Sequence, residues 1–463
     1  MSTPNAAADS ERSRARVLAL LRRHGWNATS FQSLEGGFSY WFEAEHACVA
    51  YVDTGRAWVA AGAPIAAASE LSPVANAFVA AAARAGRSAC FFATEERFAG
   101  STGFEHLLIG EQPVWEPMRW EGTLRESSSL REQLRRARAK GVRVHGCRPE
   151  ELGEGAPLRR SLEALIATWQ HSKAMPPMGF LVHVDPFGFA AERRLFVARL
   201  GEGDAAEPIG LAAMVPVYAR NGWFVEDLIR APSAPNGTTE LLVDAAMRDA
   251  AALGSDYLTL GLAPLAGDVP FLLGLAQKYA APLYDFAGLR AFKAKFRPRE
   301  WTPIHLSYPA TTSAFGAVYH GLVAFSQRGL LRYGIETLLR GPDVVLHGLA
   351  LLLLPWTALL ASLDAARWFP APWVQWAWVG FDLALCVALL SLARRFRPSL
   401  SRWIVRLVTL DAVVTLAQAL VFNRTHVRNF TDVFGVCAAV AAPAVASRIL
   451  ANAHERACRI SGS

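Results

Sequence analysis

The chain has 463 residues, 52% of them hydrophobic, and its mean hydropathy is +0.20. Such a chain can bury more than one core, and it is more apolar than soluble enzymes usually are. A net charge of +7 and a pI near 9.2 are typical of proteins that act beside anionic lipid or on nucleic acid. The charge alone does not distinguish between these two partners. Six scattered cysteines, with no C-x-x-C pair and no histidine at zinc spacing, indicate a reducing compartment and no structural metal.

The first predicted domain spans residues 13–120 and follows a small-residue polar leader, residues 1–12, which we expect to be disordered. After a helix-like segment, alternating apolar residues in YWFEAEHACVAYVDTGRAWVAAGAPI predict a hairpin that turns at Asp53-Thr54-Gly55. A helix, LSPVANAFVAAAARAG, and a strand, SACFFAT, come next. The order predicts a compact α/β unit.

A basic connecting helix is predicted within residues 121–145, where Leu130, Leu134 and Ala137 recur at helical spacing and should face the protein. The cationic residues beside this stripe are Arg131, Arg135, Arg136, Arg138 and Lys140. Charge runs are usually solvated helix faces, which is the simpler interpretation. The alternative is a surface that contacts the phosphates of RNA.

A second α/β domain is predicted over residues 146–310, with a helix at 158–173, three strands, a helix at 238–253 and a further strand. Its element order resembles that of the first domain, so duplication of one unit is a possibility. A mixed sheet with helices on its faces fits such alternation.

The stretch WFVEDLIRAPSAPNG contains the first candidate site. In a regular strand Asp227 points to one face and Arg230 to the other, so they share a pocket only if the strand ends or bulges between them. Asn236-Gly237 then turns the chain into a helix whose first N–H groups can hold a phosphate or an oxyanion. A strand-to-helix turn with Asn as N-cap is the structural alternative.

A second stretch, YDFAGLRAFKAKFRPREW, predicts a helix with Leu289, Phe292 and Phe296 facing inward. Arg290, Lys293 and Arg297 would line another face, while Lys295 falls elsewhere. Such a face is either solvated or, close to Asp227, able to hold anionic parts of a substrate.

Four apolar runs, residues 344–363, 372–393, 403–422 and 433–450, are each long enough to span a bilayer. An amphipathic linker, residues 311–342, precedes them, and a tail, residues 451–463, follows. Arginines before the first span, between the second and third and after the fourth predict that both termini and the large N-terminal part are cytoplasmic. Asp382 and Asp411 lie mid-span, where they either bond polar side chains of neighbouring helices or mark a polar path or head-group site.

The ordered series D-x-x-R, A-P-N-G, G-x-A-P-L and G-L-R-x-F-K-x-K-F closely resembles the catalytic region of phosphatidylglycerol lysyltransferases and alanyltransferases, the multiple peptide resistance factor family. The resemblance extends upstream through SYWFEAEHACVAYVDTGRAWVAAGAPI and LREQLRRARAKGVRV, and it covers most of residues 15–310. It implies tandem GNAT-like acyltransferase folds that esterify an aminoacyl group from aminoacyl-tRNA to a hydroxyl of phosphatidylglycerol, with no cofactor.

By motif, the resemblance implies that Asp227 and Arg230 lie in the aminoacyl site with Asn236-Gly237 at its rim. It implies a facing strand end formed by Gly261, Ala263 and Pro264. Lys293 and Lys295 would lie near the tRNA end or the lipid phosphate, and the basic helix would carry acceptor-stem phosphates.

The order of the parts departs from that family, whose membrane helices usually precede the catalytic region and are more numerous. A lipid-translocating module of the usual kind is therefore not implied, and we expect the four helices only to tether the enzyme to the surface of its lipid substrate. Two other functions stay open: a GNAT-type acyl-CoA-dependent N-acyltransferase, and a non-catalytic membrane-tethered binding protein. The sequence favours an inner-membrane aminoacyltransferase that uses tRNA and anionic phospholipid, because the APNG turn lacks a pyrophosphate-loop pattern and Asp227 and Arg230 are both present.

Overall fold

The computed structural model describes residues 4–173, 176, 178–201, 206–266, 286–326, 329–330, 332–333, 336, 342–394 and 397–461. The chain divides into two compact units, the first comprising Met1–Gln170 with Pro177–Leu330 and the second comprising His171–Pro176 with Leu331–Ser463. The predicted α/β fold class, followed by four apolar helices, is confirmed.

The first unit is built on one twelve-stranded sheet. Its strands are β1 (Ser39–Glu43), β2 (Ala47–Asp53), β3 (Ala57–Ala61), β4 (Ser88–Thr94), β5 (Glu105–Trp115), β6 (Val142–Gly146), β7 (Arg194–Leu200), β8 (Pro208–Val217), β9 (Gly222–Arg230), β10 (Tyr257–Thr259), β11 (Ala263–Pro264) and β12 (Glu300–Tyr308). Its described helices are α1 (Pro4–His24), α2 (Leu71–Arg84), α3 (Glu96–Ala99), α4 (Trp120–Glu126), α5 (Ser128–Ala139), α6 (Pro157–Ser172), α7 (Thr238–Ala252), α8 (Phe286–Ala294) and α9 (Ala314–Ser326).

Two halves of the sheet repeat one topology. Strands β1, β2 and β3 are successive antiparallel neighbours, and after α2 the chain returns as β4, parallel to β3. Strands β7, β8 and β9 are likewise antiparallel, and after α7 the chain returns as β10, parallel to β9. The repeat that the element order suggested is therefore present in the strand pairing.

The halves exchange their last long strands. β5 follows β4 along the chain but pairs antiparallel with β10 of the other half, and β12 follows β10 but pairs antiparallel with β4. β5 and β12 then pair with each other at the centre of the sheet. Because of this exchange, the predicted domains 13–120 and 146–310 lie in one continuous sheet within one compact unit.

Helices cover the second half of the sheet on both faces. Leu241, Leu242 and Ala246 of α7 pack with Ala212 and other apolar residues on one face. Leu162, Leu165 and Ile166 of α6 pack with Leu211, Ala213 and Ile229 on the other. Strand β8 is buried along its whole length, which explains why its sequence is an almost unbroken apolar run.

The N-terminal helix begins earlier than the sequence suggested. Residues 1–12 were expected to be a disordered leader, but α1 starts at Pro4 and runs to His24. The prediction is wrong from Pro4 onward because Pro at the first turn and the following Ala6-Ala7-Ala8 favour helix initiation.

The second unit contains four helices that are long and apolar enough to cross a membrane. They belong to α10 (Pro342–Ser362), α12 (Pro372–Arg394), α13 (Pro398–Val421) and α14 (Phe430–Ser461), with the short α11 (Ala365–Trp368) between the first two. Asp411 accepts a hydrogen bond from Thr415 of its own helix (Oγ1–Oδ1, 3.0 Å), and Asp382 is buried. Part of the predicted linker 311–342 lies outside the described residues, and α9 occupies its beginning.

Candidate functional site

Strand β9 carries a β-bulge at Glu226. Asp227 stands opposite Ala213 of β8, but the next pair along the ladder is Val225 with Met214, so Glu226 is the extra residue. Ala213 packs toward α6, and Asp227, as its direct partner, points to the same face. The bulge turns the neighbouring Glu226 side chain to that face as well, which regular alternation would not allow. Two adjacent carboxylates therefore share one side of the sheet.

Three carboxylates meet one arginine on this face. Arg193, just before β7, pairs through Nη1 with Glu226, and its Nη2 lies 3.7 Å from Oε1 of Glu35. Glu35 ends the 3₁₀ helix Ala28–Leu34 of the first half. The side chains of Arg193, Glu35 and Glu226 are only 1–2% exposed, and Asp227 is also buried. We call Glu35, Arg193, Glu226 and Asp227 the acidic cluster.

The acidic cluster contains three carboxyl groups and only one arginine. Burial first, and then the charge of Glu226, raise the pKa of Glu35 to about 10. The pKa of Asp227 is also raised well above its usual range, by burial and by Glu226, although Arg193 opposes the shift. Both Oε atoms of Glu35, one Oε of Glu226 and Oδ2 of Asp227 have no hydrogen-bond partner within the described part of the chain. This arrangement can accept cationic hydrogen-bond donors.

Arg230 does not join Asp227, so the predicted shared pocket is wrong. The ladder is regular from Asp227 to Arg230, and Arg230 stands opposite Gly210. A Cβ on Gly210 would face Leu242 and Thr238 of α7, so Arg230 lies on the α7 side of the sheet. The sequence argument required a bulge or a strand end between Asp227 and Arg230, whereas the bulge precedes Asp227 and strand β9 ends only after Arg230.

A gap opens between β9 and β10 next to the bulge. β10 pairs with β9 only through Tyr257, Leu258 and Thr259, opposite Gly222–Phe224. From Val225 onward, β9 is paired in the ladder with β8 alone. Gly261 leaves β10 with a positive φ of 70°, and a Cβ there would lie 2.6 Å from the Phe224 ring, so glycine is required. Ala263 and Pro264 form β11 and pair with β5, away from β9.

Lys293 lies on the β10 side of this gap. Its Nζ donates to the carbonyls of Gly261 (2.8 Å) and Leu262 (2.9 Å). The side chain is buried, and burial lowers the pKa of Lys293 to about 7. The prediction that Lys293 lines a face with Arg290 is corrected, because its ammonium turns inward to these two carbonyls.

Two other cations of this segment, Arg290 and Lys295, lie close to acids. Arg290 pairs with Glu111 of β5 (Nη2–Oε2, 3.1 Å) and lies over the Trp301 ring. Lys295 approaches Glu240 in the first turn of α7, with 3.8 Å between Nζ and Oε1. Both side chains are part-exposed, so an anionic substrate group would compete with Glu111 and Glu240 for them.

The turn before α7 packs directly against the basic helix α5. Gly237 has a φ of 98°, and a Cβ there would meet Ala137 at 2.8 Å and the Gln133 carbonyl at 2.9 Å. Gly237 itself is the N-cap, without a side-chain capping bond, and Asn236 is exposed beside it. The alternative with Asn236 as N-cap is therefore wrong. This packing brings α5, the α7 N-terminus and Arg230 to one side of the sheet, which we call the basic face.

The arginines of α5 differ in the groups to which they are bonded. Leu130, Leu134 and Ala137 are buried as predicted. Arg131 donates to the carbonyls of Leu124 and Arg125 at the end of α4. The remaining partners are Glu132 for Arg135 and Arg136, each at 2.7 Å, and Asp244 for Arg138, at 2.8 Å. Lys140 is exposed at the helix end. Because one glutamate, Glu132, pairs with two arginines, the exposed surface of α5 keeps a net positive charge.

Glu35, Arg193 and Glu226 were not among the residues predicted from the sequence. They lie far apart in the sequence, at the end of a 3₁₀ helix, just before β7 and at the bulge of β9. No regular residue spacing connects these three positions, so the sequence gives no signal that they meet. Within the described chain, no group of three or more His, Cys, Asp or Glu side chains has an arrangement that could hold a metal ion.

Fold and site together define an α/β protein with duplicated halves, an acidic cluster beside the point where β9 and β10 stop pairing, and four helices of membrane-spanning length. The chain belongs to the family described as phosphatidylglycerol lysyltransferase, C-terminal, whose model matches residues 18–308. This confirms the resemblance seen in the sequence motifs.

Individual relatives agree with this assignment. The phosphatidylglycerol lysyltransferase of Bacillus subtilis (strain 168) is 25% identical over 307 residues, which are 63% of this chain and 35% of that protein. The chain thus spans about a third of the length of that relative.

Two solved structures share the fold of the first unit. L-PGS from Bacillus licheniformis has a TM-score of 0.57 at 20% identity, covering 67% of this chain and 95% of that one. The C-terminal domain of a protein described as a lysylphosphatidylglycerol synthetase, from Agrobacterium fabrum, has a TM-score of 0.56 at 21% identity with the same coverage.

Proposed function

We propose that this protein is a membrane-anchored aminoacyltransferase that moves an aminoacyl group from aminoacyl-tRNA to a hydroxyl of phosphatidylglycerol. Membership of the lysyltransferase family supports the reaction class. The observation that carries the proposal is the acidic cluster beside the gap between β9 and β10. An aminoacyl ester presents an ammonium group next to its reactive carbonyl, so a buried carboxylate at a strand gap suits it.

Asp227 is the proposed ligand of the α-ammonium. Its Oδ2 is buried and without a hydrogen-bond partner in the described chain, so it can accept a charge-assisted bond from the donor. Beyond Val225, the β9 edge that faces the gap is outside the β9–β10 ladder, and its backbone groups are suited to align an extended donor. Holding both ends of the aminoacyl group would orient its carbonyl toward the acceptor hydroxyl.

Lys293 is the proposed general base. A neutral amine has two N–H donors, which the carbonyls of Gly261 and Leu262 can accept, and its lone pair then stays free. With a pKa of about 7 the amine is available near neutral pH. The lipid hydroxyl oxygen attacks the ester carbonyl while its proton moves to Nζ. The bond to the tRNA ribose oxygen then breaks, and that oxygen takes the proton, so lysine is unchanged after each turnover.

The basic face is the proposed contact for the anionic parts of both substrates. Arg230 and the α7 N-terminus suit a single phosphate, whereas the exposed arginines of α5 suit a run of tRNA phosphates. Ester exchange is close to neutral in free energy, so the reaction needs no nucleotide hydrolysis. The four apolar helices would keep the catalytic unit at the inner membrane, with the arginine-rich loops and both termini on the cytoplasmic side.

The first experiment is lipid extraction and mass spectrometry from cells that express the full chain, its Asp227→Asn variant or its Asp249→Asn variant. Asp249 pairs with Arg194 outside the acidic cluster and serves as the control. We expect a new aminoacylated phosphatidylglycerol with the unaltered and Asp249→Asn proteins and none with Asp227→Asn. An abundant unaltered protein without such a lipid would overturn the proposal in favour of acyl-CoA-dependent transfer or non-catalytic binding.

A second measurement identifies the donor. Purified full-length protein is mixed with phosphatidylglycerol vesicles and tRNA charged with radiolabelled amino acids. Transfer of label to lipid that stops on ribonuclease treatment supports aminoacyl-tRNA as donor. Transfer that needs only free amino acid and ATP would contradict it.

A further inference from the structure

We infer that Asp382 and Asp411 form a proton-binding site inside the second unit, and that this site exchanges protons with one side of the membrane only. The ligand is a single proton held by a pair of carboxyl groups. In the exchange step the O–H bond of one carboxyl breaks and the proton passes to water, which leaves a carboxylate. The site is independent of the proposed aminoacyl transfer.

The two aspartates lie at the same depth on two helices. Asp382 follows the start of α12 at Pro372 by ten residues, and Asp411 precedes the end of α13 at Val421 by ten residues. Each is therefore about 15 Å from that helix end, halfway across a hydrocarbon layer about 30 Å thick. The charge of Asp411 acts on Asp382, so the two carboxyl groups are neighbours. Acids at this depth are costly, and proton relays are one function that retains them.

The hydrogen bonds around Asp382 favour its protonated form. Asp382 is 5% exposed, and its Oδ2 has no hydrogen-bond partner in the described part of the chain. Thr357 of α10 is its hydrogen-bonding neighbour. The Thr357 hydroxyl already donates to the Leu353 carbonyl at 2.7 Å, so it offers Asp382 only its acceptor lone pairs. A protonated carboxyl can donate to Thr357, whereas a carboxylate would face those lone pairs without a donor.

Asp411 is the member of the pair that stays ionised. Its Oδ1 accepts a hydrogen bond from Thr415, one turn later on α13, at 3.0 Å. Asp411 is also part-exposed, whereas Asp382 is buried. The polar groups that face Asp382 are thus Thr357 from α10 and Asp411 from α13, and of these two only Asp411 titrates. Neighbouring carboxylates repel each other in apolar surroundings, so the pair holds one proton, on Asp382.

A polar stripe connects this pair to the end of the bundle that contains α11. Its side chains recur at helical spacing on α12 and α13, and they are Gln375, Trp378, Asp382, Asp411, Thr415 and Gln418. The Trp378 indole donates to Gln418 (Nε1–Oε1, 3.2 Å), and the Gln418 amide donates to the Trp368 carbonyl of α11 at 3.1 Å. Side chains that donate and accept hydrogen bonds support bridging water, which carries protons between the pair and this end.

The half of the bundle toward the arginine-rich loops is apolar. Cys386, one turn after Asp382, already belongs to a packed hydrophobic cluster. The most buried members of this cluster, each at most 2% exposed, are Leu346, Ala350, Leu389, Leu392, Ile404 and Val408. Close-packed aliphatic side chains leave no room for water and offer no hydrogen bonds to a proton. Exchange therefore occurs through the α11 end.

Carbodiimide labelling tests whether Asp382 holds a proton. Dicyclohexylcarbodiimide adds to protonated carboxyl groups in apolar surroundings, and peptide mass spectrometry locates the adduct. The full-length protein in detergent is labelled at pH 7.5, with Asp364 as the internal control, because this exposed carboxylate caps α11. We expect at least about tenfold more adduct on Asp382, since an ordinary aspartate is almost fully ionised at this pH. Equal labelling of both, or no adduct on Asp382, would overturn the inference.

The Asp411→Asn variant tests whether the pair shares the proton. This change removes the negative charge that favours the neutral form of Asp382, so the adduct on Asp382 at pH 7.5 should fall by about twofold or more. Asp364→Asn is the matched control and should leave that adduct unchanged. The same yield of Asp382 adduct in both variants would show that Asp411 has no part in the site.

Reconstituted vesicles test the side of exchange and the identity of the ligand. The pH is set separately inside and outside, and protease cleavage of the N-terminal unit reports the orientation of the protein. The yield of Asp382 adduct should follow the pH on the side of α11. A yield that follows the other side, or both sides equally, would overturn one-sided exchange. Loss of the adduct on addition of Na⁺ but not of choline, at constant pH, would assign the site to a metal cation instead of a proton.

Discussion

The two faces of strand β9 carry opposite charge. On the α6 side, the bulge at Glu226 brings the acidic cluster together, and within it one buried arginine faces three buried carboxyl groups. On the α7 side, Arg230 and the exposed arginines of α5 form the basic face, where each α5 arginine already has a partner. One strand thus separates a region suited to ammonium groups from a region suited to phosphates.

Burial sets how strongly each face interacts with a charged substrate group. Buried carboxylates interact strongly with any cation that reaches them, because little solvent screens them. The arginines of α5 are exposed, so each contributes weakly and its contribution falls with salt. We therefore expect changes on the acidic face to alter folding and substrate choice, and changes on the basic face to alter affinity by small amounts.

The largest effect should come from Arg193→Met. This change leaves the buried carboxylate of Glu226 without its ion-pair partner, which costs about 3–5 kcal/mol of folding free energy. The thermal midpoint of the full-length protein should drop sharply at pH 7.5. Arg194→Met is the control, since Arg194 pairs with Asp249 in a part-exposed position and should matter little. Similar midpoints for the two variants would contradict the importance of the acidic cluster.

The Lys293→Met variant tests whether Lys293, on the β10 side of the gap, is the general base. Loss of a general base lowers kcat by about 10²–10⁴-fold. In the unaltered enzyme, kcat/KM should fall as pH drops through about 7, the pKa of Lys293, and the variant should lose that limb. The folded state also disfavours the charged amine, so below pH 7 the variant should be at least as stable as the unaltered protein. A pH profile unchanged by the substitution would remove Lys293 from the base role.

The Glu35→Gln variant tests whether Glu35 is protonated in the folded protein. The pKa of Glu35 is raised to about 10 in the folded protein, so the folded state keeps a proton that the unfolded chain loses above about pH 4.5. Stability of the unaltered protein therefore falls as pH rises through this window, with Arg193, Glu226 and Asp227 facing the group. The gain in thermal midpoint from Glu35→Gln should be larger at pH 9 than at pH 6. A gain independent of pH would show that Glu35 is ionised when buried.

The smallest effect is expected on the basic face. Arg136→Gln should raise KM for aminoacyl-tRNA by about two- to fivefold at low salt, and less at high salt, because one phosphate contact is lost. Arg131→Gln is the comparison, since its guanidinium is bonded to the carbonyls of Leu124 and Arg125. Salt-independent losses, or equal losses for both variants, would argue against α5 as a tRNA contact.

Much of the fold was predictable because its signals are local. Strand β9 covers the start of the predicted stretch WFVEDLIRAPSAPNG, α5 buries the predicted stripe, and the four apolar helices occupy the predicted runs. Alternation with period two and apolar spacing near 3.6 residues are patterns within a single segment, so they can be recognised without knowing which other segment packs against it.

The candidate site was predictable only in part. Asp227 was identified through the family motif and lies in the acidic cluster, but Arg230 and Lys293 point elsewhere than expected. The inward turn of Lys293 depends on two carbonyls of another segment, and the face of Arg230 depends on where the bulge falls.

Several strands, among them β9 with an acid and an arginine near its end, and the helices that are apolar enough for a bilayer follow from the sequence alone. Tertiary structure decided the exchange of β5 and β12, the register that makes Glu226 a bulge, and the meeting of Glu35 with Arg193. The physical reason is that register and charge compensation are properties of pairs of distant segments. The free energy of a buried carboxylate depends on its neighbours in space, and only the folded chain specifies them.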